Sequence, residues 1–206
     1  MKETWRWFGP SDGVSLENVI QSGARGVVTS LHHIAVGEAW PLDEILKRKS
    51  IIEDRSLEWS VVESVPVHND IKIHSANYLQ YIEAYKETII NLGKAGITTV
   101  CYNFMPVVDW TRTNLMYKLP NESYALRFSM EAFVAYDIFV LQRNNAEGDY
   151  TEAQMKTAKD YFETMSPTEI SQLEKNVIAG LPGGAGVFDR AGIGEAIEEY
   201  KDISDE

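Results

Sequence analysis

A single cysteine, Cys101, stands in a chain of 206 residues, so no internal disulfide can form, and a lone thiol suits a reducing compartment. Basic charge is also scarce. Nineteen Lys and Arg face thirty-one Asp and Glu, for a net charge of −12, and no basic cluster breaks the balance; neither a nucleic-acid backbone nor an anionic membrane is an expected partner. No apolar run approaches the roughly 20 residues of a membrane span. The opening stretch MKETWRWFG is too polar for a secretory signal, so a soluble, cytoplasmic chain is expected. Phosphate-binding motifs are missing as well: GLPGGAG lacks the Gly-Lys-Ser/Thr of a P-loop, follows no recognisable strand and reads as a linker. The acidic end EEYKDISDE reads as a solvated tail. Small-molecule substrates remain open.

What the chain does have is apolar and aromatic substance, 44% and 11% of residues, enough to bury a sizeable core within one domain. Its organisation is an alternation of strands and helices. Thr4 to Phe8 reads as a short strand, and Ser15 caps a helix that Gly23 ends. Gly26 to Ser30 is a second, near-continuously apolar strand, followed by a helix opened by Pro41 and carried through Leu42, Ile45, Leu46 and Ile52. A third strand, Glu58 to Glu63, precedes a helical stripe of Tyr78, Tyr81, Ile82, Tyr85, Ile89 and Leu92 that runs to Gly93. The tyrosines of that stripe read as core. Ile97 to Tyr102 is the fourth strand.

No hairpin signature such as Asn-Gly separates these strands, which implies an α/β fold with a parallel sheet and right-handed crossovers. Beyond Asn103 the pattern turns helical. Ser129 to Gln142 is densely apolar, Thr151 and Ser166 open further helices through capping boxes T-E-A-Q and S-P-T-E, and no fifth strand is expected, DIFVLQ being the only candidate.

Polar residues gather where the strands end. Trp7, Phe8 and Gly9 follow the first, His32 and His33 the second, Glu63 closes the third with His68 beyond, and VCYNFMPVVDWTRT carries the fourth into Asn103, Asp109 and Arg112. In closed (β/α)8 barrels and in open doubly wound sheets alike, ligands bind at this C-terminal edge. Each residue also has an ordinary structural reading. His32 and His33 are adjacent and point apart, so one faces a ligand or either bonds a loop carbonyl. Glu63, ending a buried strand, must be paired, ligating or protonated. His68 and His74 read as solvated, and Cys101 as a small core residue rather than a nucleophile. Asp109 and Arg112 form a loop ion pair or part of a site, and their neighbours Asn103 and Trp110 favour the site.

The segments TWRWFGPSD, GVVTSLHHI, GEAWPLDEILKRKSIIE, WSVVESVPVH and VCYNFMPVVDWTRT, with YTEAQ, IAGLPG and YKDI further on, resemble the mannonate dehydratase family of the bacterial hexuronate pathway. The resemblance covers nearly the whole chain but only about the first half of the family sequence. It implies a (β/α)8 TIM barrel of the xylose-isomerase-like kind. Residues 1–113 would supply its first four βα units, and 114–206 a mainly helical segment of the same domain. The implied activity is that of a lyase dehydrating D-mannonate to 2-keto-3-deoxygluconate in glucuronate catabolism, with Mn2+ or Fe2+.

The family's metal ligands, a mixture of His, Cys and Asp, and its acid-base His and Tyr come from later strands. None carries over, and Cys101 is not the family's ligand. Trp7, His33, Glu63, Asn103, Asp109 and Arg112 remain as substrate-side candidates. By residue type, Arg112 would hold a carboxylate; His33, Asn103 and Asp109 would bind hydroxyls; Trp7 would cover the carbon chain; and Glu63 would orient a neighbour. The 206 residues alone should hold no tight metal site and have no activity of their own. The resemblance implies a homo-oligomer; the 206 residues alone, a half-barrel with open sheet edges and an apolar face, are expected to pair with another copy or with a complementary C-terminal fragment, or to aggregate. A sugar isomerase or epimerase of the same fold, or a non-catalytic half-barrel, are the alternative readings.

Overall fold

The computed structural model describes residues 1–108, 110–179, 189–201 and 203, and it resolves into two compact units, Met1–Phe104 and Met105–Glu206. The first unit is a four-stranded parallel sheet in sequence order, β1 (Thr4–Arg6), β2 (Gly26–Thr29), β3 (Glu58–Glu63) and β4 (Val100–Cys101). Helices α1 (Leu16–Gln21), α2 (Leu42–Glu53), the short α3 (Asn69–Lys72) and α4 (Tyr78–Lys94) connect them. Consecutive parallel strands with helical crossovers are the repeat from which a (β/α)8 barrel is built, and the first unit has four such strands.

Local chemistry accounts for the boundaries. Ser15 and Asn18 form a reciprocal capping box at α1, and Gly23 follows the helix at φ +87°, a conformation that costs glycine little. Pro41 caps α2 as expected. Helix α4 runs past Gly93 and stops before Gly96, whose φ is +80°. In β3, Trp59 and Val62 are both buried although they are three apart, a spacing that strict alternation forbids. A register shift against Val27 and Val28 opens the pairing at Ser60 and lets both side chains face the helices. There they join Val27, Leu31, Ile45, Ile52 and Leu92 in one core.

Two expectations about strand four change. Pairing is confined to Val100 and Cys101, and Cys101 is exposed rather than part of the core. It lies opposite Glu63, on the face turned away from the helices, whereas Val62 and Val100 take the core side.

His68 also departs from the solvated reading. It caps α3 by accepting from the Asp70 N–H at 3.1 Å, and its ring stacks on Tyr81 with 3.5 Å between centroids. Gly37 packs beside this pair at φ +92°, and a Cβ there would meet His68 Cδ2 and the Tyr81 ring at 2.7 Å. Gly37→Ala is therefore expected to destabilise the first unit by about 1–3 kcal/mol, through overpacking and positive-φ strain together. An unchanged urea midpoint would contradict this packing.

The second unit is mostly helical, but it holds strands where none was expected. Asn114–Lys118 (β5) and Tyr124–Arg127 (β6) form an antiparallel hairpin, closed by the Leu119 N–H to Ser123 carbonyl bond at 2.8 Å. Ser129 caps α5 (Met130–Ala135), which continues into a π-helical turn, Tyr136–Leu141, so the DIFVLQ stretch is helical. After a 3-10 turn (Ala146–Asp149), the expected capping boxes at Thr151 and Ser166 open α6 (Glu152–Glu163) and α7 (Pro167–Ile178). Helix α8 (Arg190–Glu198) follows, and the GLPGGAG segment lies outside the described residues. Among the described residues, no helix is long and apolar enough to cross a membrane.

Candidate functional site

Because the four strands are parallel and in order, their C-terminal ends share one edge, and Trp7, His33, Glu63 and Asn103 all lie just at or beyond it. The polar contacts there run from strand to strand. Glu63 is paired, as a carboxylate in that position must be: Arg6 Nη1 of β1 lies 3.1 Å from its Oε2, across β2. Both side chains are about one-third exposed, so Glu63 sits at the rim rather than in the interior. His33 Nε2 meets Glu44 Oε2 of α2 at 3.0 Å, and Lys47 lies 3.5 Å from the other oxygen. The His33 contact and Lys47 hold the Glu44 carboxyl below the usual carboxylate range.

Trp7, expected to cover a substrate carbon chain, is instead 3% exposed in the core, its Nε1 donating to the Val14 carbonyl at 3.1 Å. Its ring carries the guanidinium of Arg48 at 5.5 Å. Arg48 is the residue that sequence reasoning passed over. It comes from α2, is 7% exposed, and donates from Nη1 to the Ser30 carbonyl at the end of β2 at 2.9 Å. Ser30 in turn donates from Oγ to the Ser64 carbonyl at 2.7 Å, tying the exits of β2 and β3 together.

Of these residues, His33, Glu44, Lys47 and Arg48 line a cavity of about 710 Å3 on the first unit. Phe8 and Pro10 enclose it from the β1 exit, His32 and His33 from the β2 exit, and Lys47 and Arg48 from α2. Protein cover around His32, together with Arg6, Arg48 and His33, pushes its imidazole pKa below the ordinary value against the pull of Asp12. Asp12 is itself engaged, accepting from the backbone N–H of Phe8 and Val14, and those two bonds lower its pKa. The arrangement is suited to receiving and orienting a small polar or anionic ligand.

The remaining candidates are placed differently. Asn103 follows β4 and is half-buried. Arg112 belongs to the second unit and donates from Nη1 to the carbonyls of Trp110 and Thr111, with its guanidinium 5.7 Å over the Trp110 ring. Asp109, and with it the expected ion pair, lies outside the described residues. Among the described residues no group of three or more His, Cys, Asp or Glu could hold a metal ion.

The second unit has its own cavity of about 320 Å3, lined in part by Tyr136, Asp137, Arg143 and Tyr150. Its carboxylate is satisfied internally: Arg143 donates to both Asp137 oxygens, from Nε at 3.0 Å and Nη2 at 2.8 Å, and Tyr150 donates from its hydroxyl at 2.7 Å. Burial, with Glu174 adding, pushes the Tyr136 phenol up to about 12.

Comparison with known proteins gives a consistent result. A model of the D-mannonate dehydratase (UxuA) family matches residues 1–206. A mannonate dehydratase of Saccharophagus degradans is 58% identical over 206 residues, covering all of this chain and 52% of that protein. One from a Marinomonas species is 49% identical over 203 residues, 98% of this chain and 52% of that protein. The crystal structure of mannonate dehydratase from Streptococcus suis serotype 2 superposes with a TM-score of 0.60 at 33% identity, covering all of this chain and 62% of that one. The chain thus spans about half the length of the curated relatives it matches.

Proposed function

The chain belongs to the D-mannonate dehydratase (UxuA) family, and from that premise we propose that it forms the first part of a hydro-lyase converting D-mannonate to 2-keto-3-deoxygluconate in glucuronate catabolism. The observation that carries this reading is the match of the family model to all 206 residues. Residues 1–113 are assigned to the first four βα units of the barrel and 114–206 to a further segment of the same domain. The working protein is proposed to be a cytoplasmic homo-oligomer that acts on a sugar acid and engages neither nucleic acid nor membrane.

The reaction removes a proton alpha to a carboxylate and expels the 3-hydroxyl with acid assistance. Donors fixed at the edge of a rigid sheet suit the task of holding the substrate's polar groups. His33 and Asn103 stand at that edge to bind hydroxyls, and Glu63 is held by Arg6 where it can orient a neighbour. Arg112 and Asp109 are proposed as further substrate-side residues by their type alone. The divalent metal proposed for the complete protein, Mn2+ or Fe2+, does not fit the residues described here, so its ligands are assigned to the part of the family sequence beyond these residues.

A chimera tests the reading: this chain fused to the remaining half of the Saccharophagus degradans relative, supplied with Mn2+ and assayed for 2-keto-3-deoxygluconate. Turnover of D-mannonate is expected. A folded chimera that leaves D-mannonate untouched while interconverting aldoses and ketoses would instead support a sugar isomerase of the same fold.

A further inference from the structure

Arg48 is a buried cation with an incomplete set of partners. A guanidinium offers five N–H donors. Among the described residues, the side chain of Arg48 makes one hydrogen bond, to the Ser30 carbonyl, and no salt bridge. The nearest acidic residue on its own helix, Glu44, is engaged by His33 and Lys47. The other neighbours are a tryptophan face and the backbone of Gly9, where a Cβ would come within 3.0 Å of Nη1. A charge taken this far out of water is stabilised chiefly by an opposite charge at close range, and the described residues supply only the more distant pull of Glu44, with no hydrogen bond or salt bridge to it. What it supplies is space, because Arg48 lines the 710 Å3 cavity.

The rest of the wall agrees. Lys47 stands on the same stretch of α2, 71% exposed, where a cation can attract an anion without holding it in place. His32 and His33 add imidazoles from the β2 exit. The two acidic residues on the wall do not cancel this: Glu44 is occupied as described, and Glu38 sits exposed on the loop before Trp40. The guanidinium is confined by the Trp7 ring, 5.5 Å away, and by Gly9, which has no room for a side chain beside it. A planar fork that lines the cavity and spends one donor on the protein can match the two oxygens of a carboxylate or phosphate.

We propose that this cavity binds a small oxyanion, held by a bidentate contact from Arg48, with Lys47 and the two histidines around it. The choice of an aldonate carboxylate as ligand rests on the proposed activity; inorganic phosphate shares the chemistry and is the competing source. The test is a titration of the 206-residue chain, followed by NMR through the ring protons of His32 and His33 and the Arg48 Nε–H, with D-mannonate, mannitol and inorganic phosphate as separate probes. D-Mannonate is expected to shift all three signals saturably, with a dissociation constant on the order of 1 mM. Mannitol, which keeps the hydroxyls and lacks the carboxylate, should leave them in place. Arg48→Lys, with its fold checked by circular dichroism, should weaken binding at least tenfold, and Lys47→Gln about two- to threefold.

Saturation by phosphate alone would support the oxyanion site and name phosphate as its ligand. Equal responses to mannitol and D-mannonate would overturn the proposal, as would no response to either anion in the wild-type chain. No turnover is involved, so a chimera that dehydrates D-mannonate while this chain fails to bind separates the two readings, and so does the reverse.

Discussion

Asp137→Ala is expected to lower the stability of the second unit by about 3 kcal/mol, and Asp149→Ala to change it by less than about 1 kcal/mol. Both aspartates contact the same guanidinium. Arg143 Nη2 reaches Asp137 at 2.8 Å and Asp149 at 2.7 Å, so distance alone does not separate them. Burial does: the Asp137 side chain is 6% exposed and that of Asp149 62%. Asp137 is also the acceptor for the Tyr150 hydroxyl and for a second nitrogen of Arg143. Its removal leaves two donors unsatisfied at the wall of a cavity, whereas the loss of Asp149 exchanges one contact for water. Arg143 retains Asp149 and some access to solvent, which places the cost at the low end of the range for a broken buried pair. Amide exchange in α5 and α6 is the measurement, since these two helices pack on one another next to the network. Equal acceleration of exchange in the two variants would show that burial is not what makes Asp137 matter.

The sequence carried the first unit well because its signals were periodic and local. The Ser15 cap of α1, Pro41 at the entry to α2 and Gly23 after α1 each depend on a few neighbouring residues, and each reappears in the structure. What it carried poorly depended on partners far along the chain. The β5–β6 hairpin has no Asn-Gly, and NLMYK and YALR show no apolar–polar alternation, since Met116 and Leu126 are exposed; the short Pro-Asn turn LPNES was the available signal. Cys101 reads as core by residue type, but which face of β4 it takes is decided by pairing with Glu63.

The candidate site was legible as an edge and not as a pocket. Parallel strands in order place Trp7, His33, Glu63 and Asn103 at a common end without any knowledge of side-chain direction. Direction then redistributes them: Trp7 turns into the core, while Phe8 lines the cavity. Arg48 could have been found. It lies three residues after Ile45 and four before Ile52, both fully buried, so helical spacing puts it on the inward face of α2. An arginine at such a position is either paired or waiting for an anion, and the spacing alone raises that question.

Trp40→Ala is expected to cost about 3–5 kcal/mol, the range for deleting a large buried aromatic side chain. Trp40 is 1% exposed within the core of the first unit, immediately before the Pro41 cap of α2. Its backbone is held from another element altogether. The Trp40 N–H donates to Thr88 Oγ1 of α4 at 2.9 Å, and Asn91 Nδ2 of the same helix donates to the Trp40 carbonyl at 3.0 Å. Thr88 Oγ1 keeps its own proton engaged with the Ala84 carbonyl at 3.0 Å. Ring and backbone therefore make separable contributions. Thr88→Val keeps the volume and removes the acceptor, leaving a buried N–H unsatisfied at a cost of about 1–3 kcal/mol. Trp40→Ala keeps the backbone bonds and empties the core beside Ile45 and Leu92. Urea unfolding followed by circular dichroism ranks the two. Thr88→Val should also speed amide exchange along residues 34–40, which carry Glu38 and Ala39 on the wall of the cavity, because hydrogen bonds to the Trp40 backbone help fasten that stretch to α4. A Trp40→Ala midpoint no lower than that of Thr88→Val would mean that the indole contributes less than its backbone ties, and the loop would then be anchored by hydrogen bonds rather than by packing.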